Sequence, residues 1–309
     1  MKYSIVIPCF NEAAHIQACL ESLHQLNYPK EEFEIIVVDN GSSDGSDTIA
    51  KPSSDRFLSL PSVNVGEVRN QGATLASGSW LIFVDADCVL DSAWLMRADS
   101  LTSQSDETTV YGGGCSLPGD STWVERQWLL EGENGNTLPK ALIGCSIVIK
   151  KQLFHEIKGF DPTLKSGEDS ELTRRLTEHG ATIHITRELN VTHLGNAKTL
   201  FEFMKRQIWH GQSYRGNFKT NIKDPVYLLV ILYPTALALS VLALVTTSSL
   251  LFSAFSMAWL SIPGILTAKR YLRARKKPRA WELPLAYLLD ATYLTGRAWA
   301  LFPWVGQQK

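Results

Sequence analysis

The sequence has few of the features that mark disulfide-rich, zinc-binding or nucleic-acid-binding proteins. Its five cysteines are odd in number and scattered, and no two form a C-x-x-C pair, so neither a zinc site nor a disulfide framework is indicated. We expect reduced, partly buried thiols. A formal net charge of −1 gives no general attraction for nucleic acid. The apolar run at residues 3–8 is too short for a signal peptide, so we expect the first domain on the cytosolic side.

Charge is also absent from a long segment towards the C-terminus. Residues 225–268 contain no charged side chain, and one bilayer crossing takes about 20 apolar residues. The segment predicts two membrane helices, about 226–246 and 249–268, joined by a polar turn. The alternative is a buried helical pair in a soluble domain. Residues 269–279 then carry seven basic residues and no acid, and the positive-inside rule places this loop in the cytosol.

A third apolar stretch, residues 283–305, is a candidate further crossing. It contains Asp290 and Arg297, seven residues apart, and these pair with each other or with neighbouring helices because lone charges in a bilayer are costly. Residues 198–219 mix aromatic and basic side chains, which indicates either an interfacial amphipathic helix or an ordinary domain helix. We predict a membrane region over 221–309 and a multi-pass protein of the inner or cell membrane.

Residues 1–220 alternate short β-rich runs with amphipathic stretches and form the first predicted domain. Strands are predicted at 4–7, 34–38, 57–60, 80–84, 110–111 and 146–149. Apolar residues at Ile16, Leu20, Leu23 and Leu26 give one helical face between the first two strands. Because strand–helix–strand alternation implies parallel pairing with crossovers, we predict an α/β sandwich.

The sequence Asp85-Ala86-Asp87 follows the apolar strand at residues 80–84. Two carboxylates at the carboxyl end of a buried strand suit Mg²⁺ or Mn²⁺ carrying a diphosphate. In a parallel sheet, ligands bind at this edge. A lone Asp-x-Asp is more often a solvated turn, so its meaning depends on the neighbouring segments.

Three further segments bring polar groups towards the same edge. The turn after the second strand contains Asp39, which can accept from a base N–H, and amides near Gly41 that can meet phosphate. Arg69 is a predicted cation near the phosphates. Glu168 and Asp169 begin a predicted helix, where an ionised carboxylate is favoured, and supply a candidate general base.

Five motifs occur in the order typical of one enzyme family, at residues 4–12, 38–44, 69–72, 83–87 and 167–169. Over about residues 3–215 the chain resembles the family 2 glycosyltransferases, with a Rossmann-like GT-A nucleotide-diphospho-sugar fold. The resemblance implies inverting transfer of a sugar from a nucleotide sugar, UDP being the nucleotide favoured by family habit. Many relatives carry a C-terminal membrane hairpin and act on lipid-linked acceptors. The resemblance therefore implies a membrane-anchored enzyme of cell-envelope or exopolysaccharide synthesis, with its catalytic domain on the cytoplasmic side.

The resemblance also assigns roles to individual positions. It implies that Asp87 binds the metal and diphosphate, that Asp85 faces ribose and metal, and that Asp169 is the catalytic base. A histidine placed like His193 is a third metal ligand in some relatives, and a structural histidine is the alternative. The donor contacts are assigned to Pro8, Phe10, Glu12, Asp39, Asn40, Gly41, Arg69, Asp85 and Ala86, with Glu12 and Asp39 at the base.

Departures from the family pattern limit these assignments. Asn40 stands where many members have a second aspartate, a difference that bears on the base contacts and not on the class. The chain has no Gln-x-x-Arg-Trp motif, which favours single addition over polymerisation. The sequence fits two other functions less well. The intact Asp85, Asp87 and Asp169 disfavour a catalytically inactive sugar-nucleotide-binding scaffold. A nucleotidyltransferase would need a Gly-rich loop with a lysine after the first strand.

Overall fold

A computed structural model describes residues 1–132, 135–136, 138–215 and 221–302. Contacts divide the chain into two units, one of Met1–Pro118 with Leu138–Gly195 and the other of Gly119–Thr137 with Asn196–Lys309. The strands are β1 Tyr3–Cys9, β2 Phe33–Asp39, β3 Arg56–Ser59, β4 Trp80–Phe83, β5 Cys88–Val89, β6 Thr109–Gly112, β7 Cys115–Ser116, β8 Glu131–Gly132, β9 Gly135–Asn136, β10 Ile147–Lys150, β11 Thr182–Ile185 and β12 Val191–His193. The helices are α1 Ile16–His24, α2 Ser46–Ala50, α3 Val65–Leu75, α4 Trp94–Thr102, α5 Trp123–Trp128, α6 Lys151–Glu156, α7 Glu168–Glu178, α8 Leu200–Gly211, α9 Pro225–Val245, α10 Ser249–Ala274 and α11 Glu282–Trp299.

The first unit is built on a seven-stranded sheet in the order β11-β6-β10-β4-β1-β2-β3. Strands β1 to β4 are parallel to their neighbours in this group, as the sequence predicts. Strand β10 is antiparallel to both β4 and β6, which corrects the prediction of parallel pairing for residues 146–149. Ile147 at the start of β10 pairs with Gly112 at the end of β6, so the chain enters β10 at the end where it leaves β6, which makes the two strands antiparallel.

Alternate residues of the central strands face two separate cores. Ile5 and Ile7 pack with α1 and α4 on one face, whereas Val6 packs with α3, α6 and α7 on the other. A β-carbon at Gly72 would lie 2.3 Å from Val6 Cγ1, so this glycine lets α3 approach β1 closely. Strands buried on both faces read as continuous Val and Ile runs. The predicted α/β sandwich is confirmed.

A smaller three-stranded sheet in the order β5-β12-β7 lies in the same unit. Its central strand pairs antiparallel with β5, so that His193 is opposite Cys88. The five cysteines are present as free thiols. Burial raises the pKa of Cys9 to about 12, which keeps this thiol protonated.

The second unit is mostly helical, and two of its helices are long and apolar enough to cross a membrane by length and composition. These helices are α9 and α10. In the most apolar 18 residues of each, only 28% and 22% are buried, whereas the core helix of a soluble protein is mostly buried. They fit the predicted hairpin. Helix α10 continues beyond the predicted end at 268 because lysine and arginine are good helix formers, and it ends where Arg275 adopts φ 51°.

Helix α11 does not meet the same criterion among the described residues, so the predicted third span over 283–305 gains no support. Residues 303–305 lie outside the described residues. Asp290 of α11 is fully buried and pairs with Arg270 of α10. Arg297 lies over the rings of Tyr214 and Tyr293. Arg297 Nε also donates to Gln207 Oε1 of α8 at 3.3 Å, so of the two predicted arrangements each charge has a partner on a neighbouring helix.

Candidate active site

Strands β1, β2 and β4 end at one edge of the sheet, and each is followed by a turn that carries predicted site residues. The register Cys9 to Asp39 aligns the ends of β1 and β2, and Val84 continues from β4 beside Val6. Asp85 and Asp87 come next, with Asp85 partly exposed and Asp87 buried. Parallel strands therefore bring the two carboxylates and the Asp39 turn to the same edge, where α/β proteins bind ligands.

Asp87 and His193 meet although 106 positions separate them in sequence. Pairing of His193 with Cys88 sets the imidazole beside Asp87, and His193 Nε2 lies 3.5 Å from Asp87 Oδ2. The N–H of Leu194 donates to the Asp87 carbonyl at 2.8 Å. A β-carbon at Gly195 would lie 2.0 Å from Asp87 Oδ2, so only glycine permits this approach. The small sheet therefore assembles a carboxylate–imidazole pair.

The donor atoms at this position suit a divalent cation. One ligand atom from each of Asp87, Cys88 and His193 lies within 4.8 Å of the other two. The Cys88 thiol donates to Asp87 Oδ1 at 3.6 Å. Carboxylate oxygens suit Mg²⁺ and Mn²⁺, and imidazole extends the set towards transition metals. On donor chemistry, Asp87 and His193 fit Mg²⁺ or Mn²⁺, with Asp85 adjacent in sequence.

Arg69 lies beneath the site and is 3% exposed. Its Nη2 is 2.7 Å from Asp85 Oδ1, and its Nη1 is 2.7 Å from Glu168 Oε1. The predicted phosphate contact of Arg69 needs correction, because both terminal nitrogens of its guanidinium bond to carboxylates and its side chain is buried. The guanidinium instead links Asp85, in the turn after β4, to Glu168 at the start of α7.

Asp169 is partly buried at the first turn of α7. Its Oδ1 accepts from the Ser170 N–H at 2.7 Å, and its Oδ2 accepts from the Gly144 N–H at 3.3 Å. Desolvation, followed by the nearby charge of Glu168, raises the pKa of Asp169, although Arg69 and the two amides act in the opposite direction. Burial and Glu168 thus outweigh the effect of the helix start on which the sequence prediction relied.

The Asp39 carboxylate holds its own turn. Its Oδ2 accepts from the N–H groups of Gly41 and Ser42 at 3.0 Å each, and its Oδ1 accepts from Ser42 Oγ at 2.5 Å. Gly41 has φ 79°, a conformation that glycine adopts without strain. Asp39 is 2% exposed. The carboxylate therefore shapes the turn, which is a different placement from the free acceptor that the sequence predicts.

Asn40 clamps the neighbouring loop with both ends of its amide. Its Nδ2 donates to the Val63 carbonyl at 2.9 Å, and its Oδ1 accepts from the Val63 N–H at 3.2 Å. An aspartate has no donor for the first of these bonds. The departure from the family pattern at Asn40 thus has a local reason.

The remaining predicted donor residues differ in exposure. Phe10 is 55% exposed, which is unusual for a phenylalanine next to a buried strand. Glu12 is partly buried, and its N–H donates to Ser46 Oγ at 2.7 Å. Pro8 is opposite Val38 in the sheet, and Ala86 is 2% exposed and packs in the core. Of these residues, Phe10 is the one that presents a large surface to solvent.

Both a protein-family model and individual proteins of known name match this chain. The model of the glycosyl transferase family 2 matches residues 4–126. The chain therefore carries a family 2 glycosyltransferase domain. The glycosyltransferase AglE of Haloferax volcanii is 29% identical over 222 residues, which cover 68% of this chain and 71% of AglE. The succinoglycan biosynthesis protein ExoA of Rhizobium meliloti is 27% identical over 233 residues, 69% of each chain.

The fold is that of the GT-A glycosyltransferases. The mannosyltransferase PcManGT from Pyrobaculum calidifontis, solved with GDP-Man and Mn²⁺, has a TM-score of 0.57 at 19% identity, covering 94% of this chain and 85% of that one. The structure of GalNAc-T7 with UDP, GalNAc and Mn²⁺ has a TM-score of 0.51 at 17% identity, covering 70% and 51%. These likenesses establish the fold, and the family match together with the named relatives makes the chain a glycosyltransferase.

Sequence reasoning on this glycosyltransferase missed the pairing of Glu168 and missed two glycines at the site altogether. Glu168 pairs with Arg69, and its spacing from the buried Leu172 and Leu176 was a signal that it faces inward on α7. Gly144 supplies an amide to Asp169. Gly195 abuts Asp87. Neither glycine has a sequence signal, because its importance depends on contacts between distant segments.

Proposed function

We propose that this glycosyltransferase is membrane-anchored and inverting, and that it transfers a sugar from a nucleoside diphosphate sugar to an acceptor hydroxyl. UDP sugars are the first donor class to test, and the acceptor is lipid-linked or glycan-linked. The observation that carries the proposal is the grouping of Asp85, Asp87, His193 and Asp169 in one GT-A unit. The names of ExoA and of the amylovoran glycosyltransferase AmsB of Erwinia amylovora support a role in exopolysaccharide or envelope synthesis.

Asp169 is the proposed general base. Its ionised carboxylate takes the proton of the acceptor hydroxyl while the acceptor oxygen bonds to the anomeric carbon of the donor sugar. The bond from that carbon to the diphosphate oxygen breaks, and the configuration inverts. A raised pKa makes Asp169 a stronger base than an ordinary carboxylate. The amides of Gly144 and Ser170 orient it.

Asp87 and His193, with Asp85 beside them, are the residues that would hold a divalent cation. When bound, Mg²⁺ or Mn²⁺ stabilises the charge on the departing diphosphate. The presence of Mn²⁺ with GDP-Man in the PcManGT structure supports a divalent cation here and does not distinguish the two metals. Arg69 keeps the Asp85 carboxylate in place through a 2.7 Å contact.

The turns after β1 and β2 are the proposed donor-binding surface. The exposed ring of Phe10 offers a face on which a base can stack. Pro8, Glu12 and Ala86 border this surface by their positions at the strand ends, and Asp39 with Gly41 shapes the turn that faces it. Asn40 fixes the adjacent loop rather than contacting the base.

Membrane anchoring rests on α9 and α10. Most of the apolar surface of these helices is not covered by protein, and Leu244 and Leu250 are 60% and 80% exposed. Exposed apolar area of this extent is costly in water. A bilayer would cover it, and the basic residues at the end of α10 favour a cytosolic location for that end.

The decisive experiment uses the full chain purified in detergent and a panel of nucleotide sugars. Release of nucleoside diphosphate is measured with and without polyprenyl phosphate and with Mn²⁺, Mg²⁺ or a chelator. We expect one donor to give metal-dependent release. The Asp169→Asn variant should lose transfer yet still bind that donor by calorimetry, whereas Glu178→Gln, on the exposed side of the same helix, should retain both.

Two outcomes would contradict the proposal. Binding of a nucleotide sugar without release from any donor would favour the inactive scaffold. Loss of donor binding in Asp169→Asn would show that this carboxylate acts in the donor site rather than as the base.

A further inference from the structure

Arg69 is the buried residue that connects the metal-side carboxylate to the helix of the base. Its two terminal nitrogens each lie 2.7 Å from a different carboxylate, Asp85 after β4 and Glu168 at the start of α7. Planar guanidinium fixes the angle between two such bonds, which a lysine ammonium does not. We propose that Arg69, together with Glu168, is a positioning residue that sets the place of Asp169 relative to Asp85. This inference rests on the proposed function of Asp169.

The start of α7 depends on this contact. Its N-cap is Gly167, with φ 80° and no side-chain hydrogen bond to the first turn. A glycine at this position has no side chain to accept hydrogen bonds from the N–H groups of the first turn. Glu168 is the first residue of the helix, and its carboxylate is held by Arg69. The buried ion pair therefore attaches the first turn of α7 to the guanidinium of Arg69.

Arg69 also packs against the backbone that orients Asp169. A β-carbon at Gly144 would lie 2.3 Å from Arg69 Nη2, so the guanidinium lies directly under this glycine. The N–H of Gly144 donates to Asp169 Oδ2. The Phe160 ring lies 5.4 Å from Arg69 Cζ. The guanidinium thus contacts both supports of Asp169, the first turn of α7 and the Gly144 backbone.

The charges around Asp169 make this role measurable. The charge of Glu168 raises the pKa of Asp169, and the charge of Arg69 lowers it. Removing Glu168 should lower that pKa, and removing Arg69 should raise it. A substitution that merely loosens the fold has no reason to act in opposite directions at the two ends of one ion pair.

The test measures kcat/KM against pH for the wild type, Glu168→Gln, Arg69→Met and Arg69→Lys. Activity requires ionised Asp169, so it is lost as the pH falls through the pKa of Asp169. We expect the acid limb to move to lower pH in Glu168→Gln and to higher pH in Arg69→Met. Arg69→Lys keeps the charge but not the fork, so its limb should stay near the wild-type position while kcat falls about 10–100-fold.

The matched control is Arg56→Met. Arg56 Nε lies 2.9 Å from the buried Glu34, near the other end of β2, so its loss removes an arginine–carboxylate pair with one buried partner, far from Asp169. We expect no shift of the acid limb in this variant. If Arg69→Met does not fold, the two other variants still test the proposal. Glu168→Gln measures the effect of charge on the acid limb, and Arg69→Lys measures the effect of the guanidinium geometry on kcat.

Shifts of the acid limb in the same direction for Glu168→Gln and Arg69→Met, or wild-type kcat in Arg69→Lys, would overturn the proposal. Failure of the proposed function looks different, because the wild type would then show no nucleoside diphosphate release at any pH. In Glu168→Gln, donor affinity should stay within about threefold of wild type, since Arg69 keeps its contact with Asp85.

Discussion

Each unit of this chain contains a largely buried arginine bound to a carboxylate, and the two clusters differ in how far that carboxylate is exposed. Arg69 bonds to Asp85 and Glu168, and the Asp85 side chain remains 30% exposed at the carboxyl edge of the sheet. Arg270 bonds to Asp290 at 2.9 Å and to the carbonyl of Gln127, and Asp290 is fully buried. Only the first cluster can present a carboxylate to a ligand.

The second cluster has a different consequence. Thr267 Oγ1 also donates to Asp290 Oδ2 at 2.6 Å, so three elements of the helical unit, α5, α10 and α11, converge on one ion pair. A pair whose carboxylate is fully buried contributes to the packing of the helices and cannot offer that carboxylate to a ligand. Both clusters pair an arginine with a carboxylate, so the side-chain chemistry is the same. Exposure to solvent is what makes the Asp85 cluster able to bind a ligand and leaves the Asp290 cluster a structural role.

The largest effect should come from the enclosed cluster. Asp290→Ala leaves the largely buried Arg270 without its carboxylate, which costs about 3–5 kcal/mol of unfolding free energy. Asp85→Ala should cost much less stability, since Arg69 keeps Glu168 and Asp85 is partly exposed. Chemical denaturation of both variants in detergent measures the difference. Equal losses of unfolding free energy in the two variants would show that the buried and the exposed carboxylate contribute equally to stability.

The next effect concerns the exposed side of the first cluster. Gly195→Ala places a methyl group against Asp87 Oδ2, so we expect Mn²⁺ or Mg²⁺ affinity to fall about 10–100-fold. Calorimetric titration of the metal measures this change. The control is Gly264→Ala in α10, where a β-carbon meets no atom within 4 Å. Unchanged metal affinity in Gly195→Ala would show that the metal does not bind at Asp87.

A smaller effect is expected at the donor turn. Asn40→Asp removes the donor to the Val63 carbonyl and sets a charge near that oxygen, at a cost of about 1 kcal/mol in unfolding free energy. Donor affinity should fall by less than the metal-site variant lowers metal affinity, since Asn40 is not placed at the base. Thermal unfolding and calorimetry measure the two quantities. Tighter donor binding in Asn40→Asp would instead identify position 40 as a base contact.

Much of the first unit follows from sequence because local periodicity decides it. Residues such as Ile5 and Val6 alternate between two cores, and Asp85 and Asp87 end a buried run, so the strand ends and the turn carboxylates are predictable. The reversed direction of β10 is not, because it depends on the return path of a long connection. The pairing of His193 with Cys88 likewise depends on a register between distant segments.

The site shows the same limit. The sequence indicates that Arg69 is a cation near carboxylates and phosphates, but desolvation and pairing decide which of them it contacts. The raised pKa of Asp169 is also a balance of burial, Glu168 and Arg69 that no single motif contains. In the second unit, hydropathy predicts α9 and α10, whereas the end of α10 and the partners of Asp290 follow from packing.

The smallest effect tests whether burial determines how much an arginine–carboxylate pair contributes to the unfolding free energy. Arg174 on α7 pairs with Glu178 at 2.5 Å, with side chains 55% and 61% exposed. Water screens such a pair, so Glu178→Gln should change the unfolding free energy by about 0.3–0.5 kcal/mol at most and leave the acid limb unmoved. Denaturation at low and high salt measures it. A loss above about 1 kcal/mol, on the scale of a buried pair, would mean that exposure does not set the strength of these arginine–carboxylate contacts.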